Sequence, residues 1–476
     1  MNQNLSLPAI GAMPARPAVA SASQSSGAGS MAFFFLAAFL FMATSRILDF
    51  TLPSLHLPLI LAAVAAGLSV AAYGIFSGFS TAPGKLIGLF TIWITICVPF
   101  SQWKGGSLGV LTDEISRSFL VFFMVASVVN TLQRVQTLIA VIGSGIVVAM
   151  IIALLQDIRI DGRLTMSTGQ YANSNDLAQI MLVGIFFMPV LGTRLKSKFL
   201  KVLGYLMVGP FLYSVVTTGS RGALVTGVVL IAIVFLISSH SKRLLFIVSI
   251  PLLVGALLTV SQNLRTRLAT FVLDRASTAS EEMAMASTQG RMTMLRHSLL
   301  LTAENPLFGV GPGVFQTASA ELQHSDGQRA MWIETHNAYT QVSSETGVPG
   351  ILFFGGAVLT SLVGLIRIRR RTSRDPALAS LNATVTLLML AFVSFAVTSM
   401  FSSVAYGFIF WLLIGLCAAT IGVANRELAV AKVVVPVPFR PASTGSASVP
   451  LPSTAPVRSA TRVTLSGRIK PARHRG

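Results

Sequence analysis

Long apolar runs set the first constraint on this chain. They recur at about 18 to 22 residues, the length at which a helix crosses the ~30 Å hydrocarbon core of a bilayer. Only 11% of the residues are charged, against roughly 25% in soluble domains, and mean hydropathy is +0.74. The expected fold is therefore all-α: a polytopic membrane protein with about twelve transmembrane helices. The runs fall at 31–50, 55–76, 84–100, 115–130, 137–155, 175–193, 199–217, 221–238, 243–261, 349–366, 381–400 and 402–424. The fourth is short, and a very tight turn joins the pair at 199–238. Residues 31–424 read as one transmembrane domain between two tails.

The basic residues give the orientation. With the N-terminus inside, the cytoplasmic segments hold 23 of the 35 Lys and Arg and two of the 16 acids, a net +21, against −2 on the other face. Lys and Arg accumulate in cytoplasmic loops, so the overall charge of +19 is a topology signal and not a footprint for nucleic acid. Residues 1–30, rich in Ala, Ser, Gly and Pro, read as a disordered cytoplasmic tail. Their polar lead is too long for a signal peptide, and no small-residue cleavage site follows MAFFFLAAFLFMATS. Residues 425–476 read as a second, basic, disordered cytoplasmic tail. Cys97 and Cys417 lie inside spans and read as packing residues.

One loop stands apart. Residues 262–335 form a large external loop, and loops of that length are usually functional or disordered. This one is expected to be partly helical: in STQGRMTMLRHSLLLTAENP, Met292, Leu295 and Leu299 recur at helical spacing, and Asn305-Pro306 marks the stop. LFGVGPGVF follows, with Gly309, Gly311 and Gly313. A turn packed close to the membrane is its plain reading; a cradle of backbone N–H groups for phosphate is the alternative. Trp332 and Tyr339 have the look of interfacial aromatics.

The loop ends in THNAYTQVSSETGVPG, residues 335–350. Pro349 suits the first turn of a helix, and Gly347 can close a preceding helical segment. Residues 337–346 are thus expected to form a short helix leading into the tenth span. His336 then stands at a helix N-terminus, whose positive end disfavours imidazolium. It is expected to be neutral near pH 7 and able to accept a proton; a capping or interfacial His is the bland alternative. Arg221, in TTGSRGALVTG, lies at the outer end of the eighth span, against the positive-inside bias. It either binds an anion or snorkels to the headgroups.

His336-Asn337, nine residues, Gly347, two residues, Gly350: this spacing resembles the signature of the O-antigen ligase and Wzy-type polysaccharide polymerase superfamily. GSRG at 219–222, GR at 290–291 and NPLFGVGPGVF at 305–315 are similar to other landmarks of that family, in the same order. GRLTMSTGQYANSNDLA at 162–178 looks like its loop before the middle span. The resemblance extends over residues 31–424. It implies a glycosyltransferase of the bacterial plasma (inner) membrane that works on the external, periplasmic face. Such enzymes move a glycan from undecaprenyl pyrophosphate to a sugar hydroxyl, on the lipid A-core for a ligase or on a growing polysaccharide for a polymerase. The implied catalytic residues are His336 as general base, with Arg221 and Arg291 stabilising the pyrophosphate. Asn337, Arg163, Asn175, Glu345, Gly347 and Gly350 follow as substrate-binding candidates. Transfer is expected to be inverting and to need no metal or cofactor, since no acidic pair or Cys/His cluster has ligand spacing. A lipid-linked glycan transporter is the rival from another class. It should carry internal repeats and ionisable residues at mid-span, and the spans here are nearly free of charge except at their ends.

Overall fold

The computed structural model describes residues 27–51, 57–167, 169–194, 198–238, 243, 279–325, 327 and 332–433. The expected span at 243–261, most of the first tail and residues 434–476 lie outside them. Helices carry the architecture: α1 (Gly27–Ser45), α2 (Leu57–Tyr73), α3 (Ala82–Cys97), α4 (Lys104–Val110), α5 (Ser116–Val128), α6 (Leu132–Gln156), α7 (Ser174–Arg194) and α8 (Lys198–Leu206). After them come α9 (Val208–Thr217), α10 (Arg221–Ile237), α11 (Ala279–Glu304), α12 (Phe315–Ser325), α13 (Ala338–Thr372), α14 (Ala379–Thr398) and α15 (Phe408–Val433). A small antiparallel hairpin, β1 (Ile158–Ile160) and β2 (Arg163–Thr165), pairs Ile160 with Arg163.

Six described helical stretches are long and apolar enough to cross a membrane: Gly27–Ser45, Ala82–Phe100, Leu132–Gln156, Ala338–Thr372, Pro376–Phe401 and Phe408–Val430. Leu57–Tyr73, Ser174–Val190, Val202–Thr217 and Arg221–Ile237 are shorter apolar helices. The chain is an all-α, multi-pass membrane protein. The expected span at 115–130 falls on α5, only 13 residues long, which a π-helical turn at Leu111–Ile115 joins to α4. The run at 199–217 is divided at Met207 between α8 and α9. Pro210 lacks an N–H and its ring crowds the carbonyl four residues back, so the helix cannot pass through unbroken.

Phe34, Leu155, Val228 and Leu359 are more than half exposed on the sides of these helices, a surface that suits hydrocarbon. Inside, Phe354 of α13 stacks on Phe410 of α15 at 4.5 Å and meets Phe90 of α3 edge-on at 5.5 Å. Hydroxyls in this interior bond to their own helix, as Thr44 does to the Leu40 carbonyl at 2.7 Å and Thr226 to that of Gly222 at 2.7 Å. In an apolar medium an unmade hydrogen bond costs several kcal/mol, so such back-bonding is the cheapest way to carry a polar side chain. Gln179 on α7 reaches across instead, donating to Thr398 Oγ1 at 2.8 Å and Ser399 Oγ at 3.1 Å at the end of α14.

Two sequence expectations are met at α13, and the helix expected around Met292 forms as α11. Gly347, at φ 70° and ψ −171°, breaks α13 into a short leading segment and a long one, with Pro349 at the start of the second. The α11 helix forms and stops at Asn305-Pro306 as expected, but it turns a different face inward. Met292 and Leu299 are exposed, while Met294, His297, Ser298 and Leu301 are buried. The reason is a small second core in which Met294 and Leu301 pack with Val310 and Val314 of the glycine-rich segment and Phe315 and Ala318 of α12. Helical spacing fixed that a helix forms; the partner fixed which stripe it buries.

Candidate functional site

Three stretches far apart in sequence meet at one end of the bundle. Arg221 is the first residue of α10, whose N-cap Ser220 accepts a hydrogen bond from the Ala223 N–H at 3.4 Å. A Cβ on the next residue, Gly222, would stand 2.7 Å from Phe401 Cβ. The start of α10 is therefore pressed against the turn that follows α14. Ahead of it, the Arg163 side chain donates from Nε to the Thr218 carbonyl at 2.9 Å and from Nη2 to Asn175 Oδ1 at 2.8 Å. The β hairpin and the start of α7 thus hold the tight turn that aims Arg221. The structure brings Arg163 and Asn175 together as each other's partners.

His336 sits in the left-handed region, at φ 52°. Its N–H donates to Ser403 Oγ at 2.8 Å, and the Thr335 hydroxyl bonds the same oxygen at 2.9 Å. The Asn337 side chain caps α13, its Oδ1 accepting from the N–H groups of Tyr339 at 2.9 Å and Thr340 at 3.2 Å. The neighbouring Ser402 donates to Asp176 Oδ1 at 2.6 Å. Asp176, Ser402 and Ser403 were not singled out from the sequence. Lone hydroxyls and a lone acid at span ends carry no spacing pattern, although Asp176 directly follows the Asn175 that was picked.

Electrostatics link the three residues that matter most. Burial first, and then the Arg291 guanidinium, hold the His336 imidazole below its ordinary value. Burial and the charge of Arg221 do the same to Arg291, which stays a cation because a guanidinium does not give up its proton in a protein. Arg221 and Arg291, and Arg291 and His336, thus lie within electrostatic reach of each other. Two like charges held this close favour an anion beside them, and a neutral imidazole next to that anion can take up a proton.

The glycine-rich segment has a different task. Its N–H groups are committed to α13: Val310 to the Ser344 carbonyl at 2.8 Å, Gly311 to that of Glu345 at 3.1 Å, and Val348 returns a bond to Pro306 at 2.7 Å. Glu345, only 3% exposed, accepts from Gly313 N–H at 2.9 Å and Phe315 N–H at 3.4 Å. This is the packed turn, and the N–H groups a phosphate cradle would need are already used. A Cβ at Gly309 would meet the backbone of Glu345 and Thr346; one at Gly347, with φ 70°, would come 2.7 Å from the Pro306 carbonyl. At Gly350 it would run into the Thr346 side chain. Glu345 and Gly347 thus fasten the 306–315 segment to α13, Gly350 lies against its own helix and Trp93, and the cluster of Arg221, Arg291 and His336 does not include them.

His297 is buried in the small core, its Nδ1 2.9 Å from Ser319 Oγ. Among the described residues, no group of three or more His, Cys, Asp and Glu is placed to hold a metal ion. Residues 206–355 match a family model described as O-antigen ligase. The match takes in Arg221, Arg291, His336 and the 345–350 segment, and stops short of Arg163 and Asn175. No curated protein matches the chain.

Proposed function

Residues 206–355 are similar to the O-antigen ligase family, and from that similarity we propose that this chain is a ligase-type glycosyltransferase. Its donor is a glycan on undecaprenyl pyrophosphate, and its acceptor a sugar hydroxyl of lipid A-core. Both tails lie in the cytoplasm, twelve spans cross the plasma membrane, and residues 262–335 with the active site face outward. The observation that carries the reading is the chain of influence from Arg221 through Arg291 to His336.

The acceptor oxygen attacks the anomeric carbon on the side opposite the pyrophosphate, giving inversion. The bond from that carbon to the pyrophosphate oxygen breaks, and its electron pair stays on the leaving group. Arg221 and Arg291 stabilise this charge; their planar forks match phosphate oxygens, and stabilising a developing anion is usually the largest lever in such a step. The hydroxyl proton passes to His336, which its surroundings keep neutral for that purpose. Arg163 and Asn175 steady the turn bearing Arg221 and border the donor site. Asn337 sets the entry of α13, while Glu345 and Gly347 keep α11, and so Arg291, in register with His336. No step calls for a metal or a cofactor.

The test is His336→Gln in liposomes loaded with carrier-linked glycan, with lipid A-core and carrier-linked repeats as separate acceptors. Donor binding should persist while turnover falls by about 10²–10⁴, the usual worth of a general base. Wild-type turnover would reduce His336 to a positioning group. Product only with carrier-linked repeats would make the enzyme a polymerase.

A further inference from the structure

A cavity of about 230 Å³ opens at the other end of the bundle. The Thr44 end of α1 lies by the site just described, since the Thr44 carbonyl faces the Tyr171 hydroxyl at 3.4 Å. The other end, at Gly29, accepts a hydrogen bond from Arg134 Nη2 at 3.1 Å. Roughly 22 Å of helix separates the two, at 1.5 Å per residue. The cavity belongs to the Gly29 end. It is smaller than the ~300–1,000 Å³ of pockets for drug-sized ligands, so it has room for a headgroup and not for a glycan.

Its lining is polar and carries positive charge without a carboxylate. Ser77, Ser80, Ser127, Tyr73, Asn130 and Arg426 face it. Behind them Arg134 donates to the Tyr73 hydroxyl at 2.6 Å and to the Val128 carbonyl at 2.9 Å, and Arg426 donates to the Asn130 carbonyl at 2.9 Å. The ion pairs among the described residues join Arg46 to Asp49, Arg117 to Asp113 and Arg159 to Asp157, none of them here. Glu427 follows Arg426 in sequence, but adjacent helical positions do not face each other. The Ser127 hydroxyl, on a residue 4% exposed, has no hydrogen-bond partner among the described residues. A buried donor left without a partner is unfavourable, so the site is short of an acceptor.

We propose that this cavity binds a phosphate group, supplied by the headgroup of an anionic phospholipid. A phosphodiester brings the negative counter-charge that Arg426 and Arg134 lack there and an acceptor oxygen for Ser127. Basic pockets between helices on the cytoplasmic side are suited to such headgroups, and the charge distribution puts this end there. The lipid would bridge α2, α5 and α15 at the end remote from the transfer site.

The experiment uses full-length protein in nanodiscs of phosphatidylcholine and phosphatidylglycerol, with native mass spectrometry of the lipids that stay bound. A parallel arm adds inorganic phosphate to delipidated protein in detergent and reads the thermal midpoint. Wild type should retain phosphatidylglycerol in preference. Arg426→Gln, on an exposed residue, should weaken retention by roughly fivefold, the worth of one basic residue near an anionic surface. Ser127→Ala removes the hydroxyl without adding bulk and should weaken it too. Protection by inorganic phosphate alone, lost in Arg426→Gln, would assign the cavity to free phosphate. No preference in wild type and no protection by phosphate would overturn the proposal, and so would equal retention in both variants.

Discussion

Gly309→Ala offers a test of how the glycine-rich segment positions the cationic cluster. At φ 67° a Cβ is strained, at about 1–2 kcal/mol for a left-handed L-residue. That Cβ would also stand 2.6 Å from the Glu345 carbonyl oxygen, where ordinary contact begins at 3.4 Å. The obstacle is backbone and cannot swing aside, so the 306–311 segment has to lift from α13 by at least about 0.8 Å, at a further cost of about 1–3 kcal/mol for overpacking. Arg291 rides on α11, which runs directly into this segment, while His336 belongs to the entry of α13. A misplacement of about 1 Å can cost 10²-fold in rate. Transfer should therefore drop by about that factor, with donor still bound, in single-turnover assays on purified protein in liposomes. Gly290→Ala is the control. Its Cβ would meet nothing within 4 Å, and Ala for Gly inside a helix stabilises by about 0.8–1.0 kcal/mol. It should melt higher and keep full activity although it adjoins Arg291. If Gly309→Ala transfers glycan like wild type, the segment is not what sets Arg291 against His336.

The remaining expectations concern the same end of the molecule and the topology. Arg221→Ala and Arg291→Ala should each abolish transfer at normal expression, with Arg221→Lys restoring only part because a point charge replaces a fork; near-normal activity in both alanine variants would return Arg221 to a headgroup-snorkelling role. With its value held below ~6.5, His336 stays the neutral, proton-accepting form through pH 6.5, so activity should persist there and fall only at lower pH. A midpoint at or above 6.5 in the pH–rate profile would contradict burial and Arg291 as the controlling influences. Cysteine placed at Ser277 should label from outside and at Ser453 from inside, and the reverse pattern would invert the topology.

The apolar runs disclosed the helices, and Gly347 with Pro349 disclosed the break in α13, because both signals are local. The meeting of Arg221, Arg291 and His336 is long-range; it was legible only through the family pattern, which carries tertiary information in its spacing. Where no such pattern applied, the sequence was mute. Nothing near Met292 says that α11 buries Met294 and Leu301, since that depends on Phe315 arriving from α12. Ser403 holds His336 from 67 residues away, and a serine after an apolar run looks like any other. Glu345 and the glycines were assigned to substrate by their company in the motif. The contacts they make are with other parts of the same chain, because a motif's spacing can serve the fit between two backbones as well as a ligand.

His336 is one of four described non-glycine residues with positive φ, beside Arg46, Asp157 and Asp161. A glycine there would relieve about 1–2 kcal/mol of backbone strain and remove the imidazole in one substitution. A screen that rewards abundance or heat resistance should thus enrich glycine at 336, filling the membrane with a sturdier but inert protein. A screen for surface glycan should keep histidine and tolerate the strain. Yield and activity would pull this single position in opposite directions, so stabilising campaigns on the protein need residue 336 held fixed.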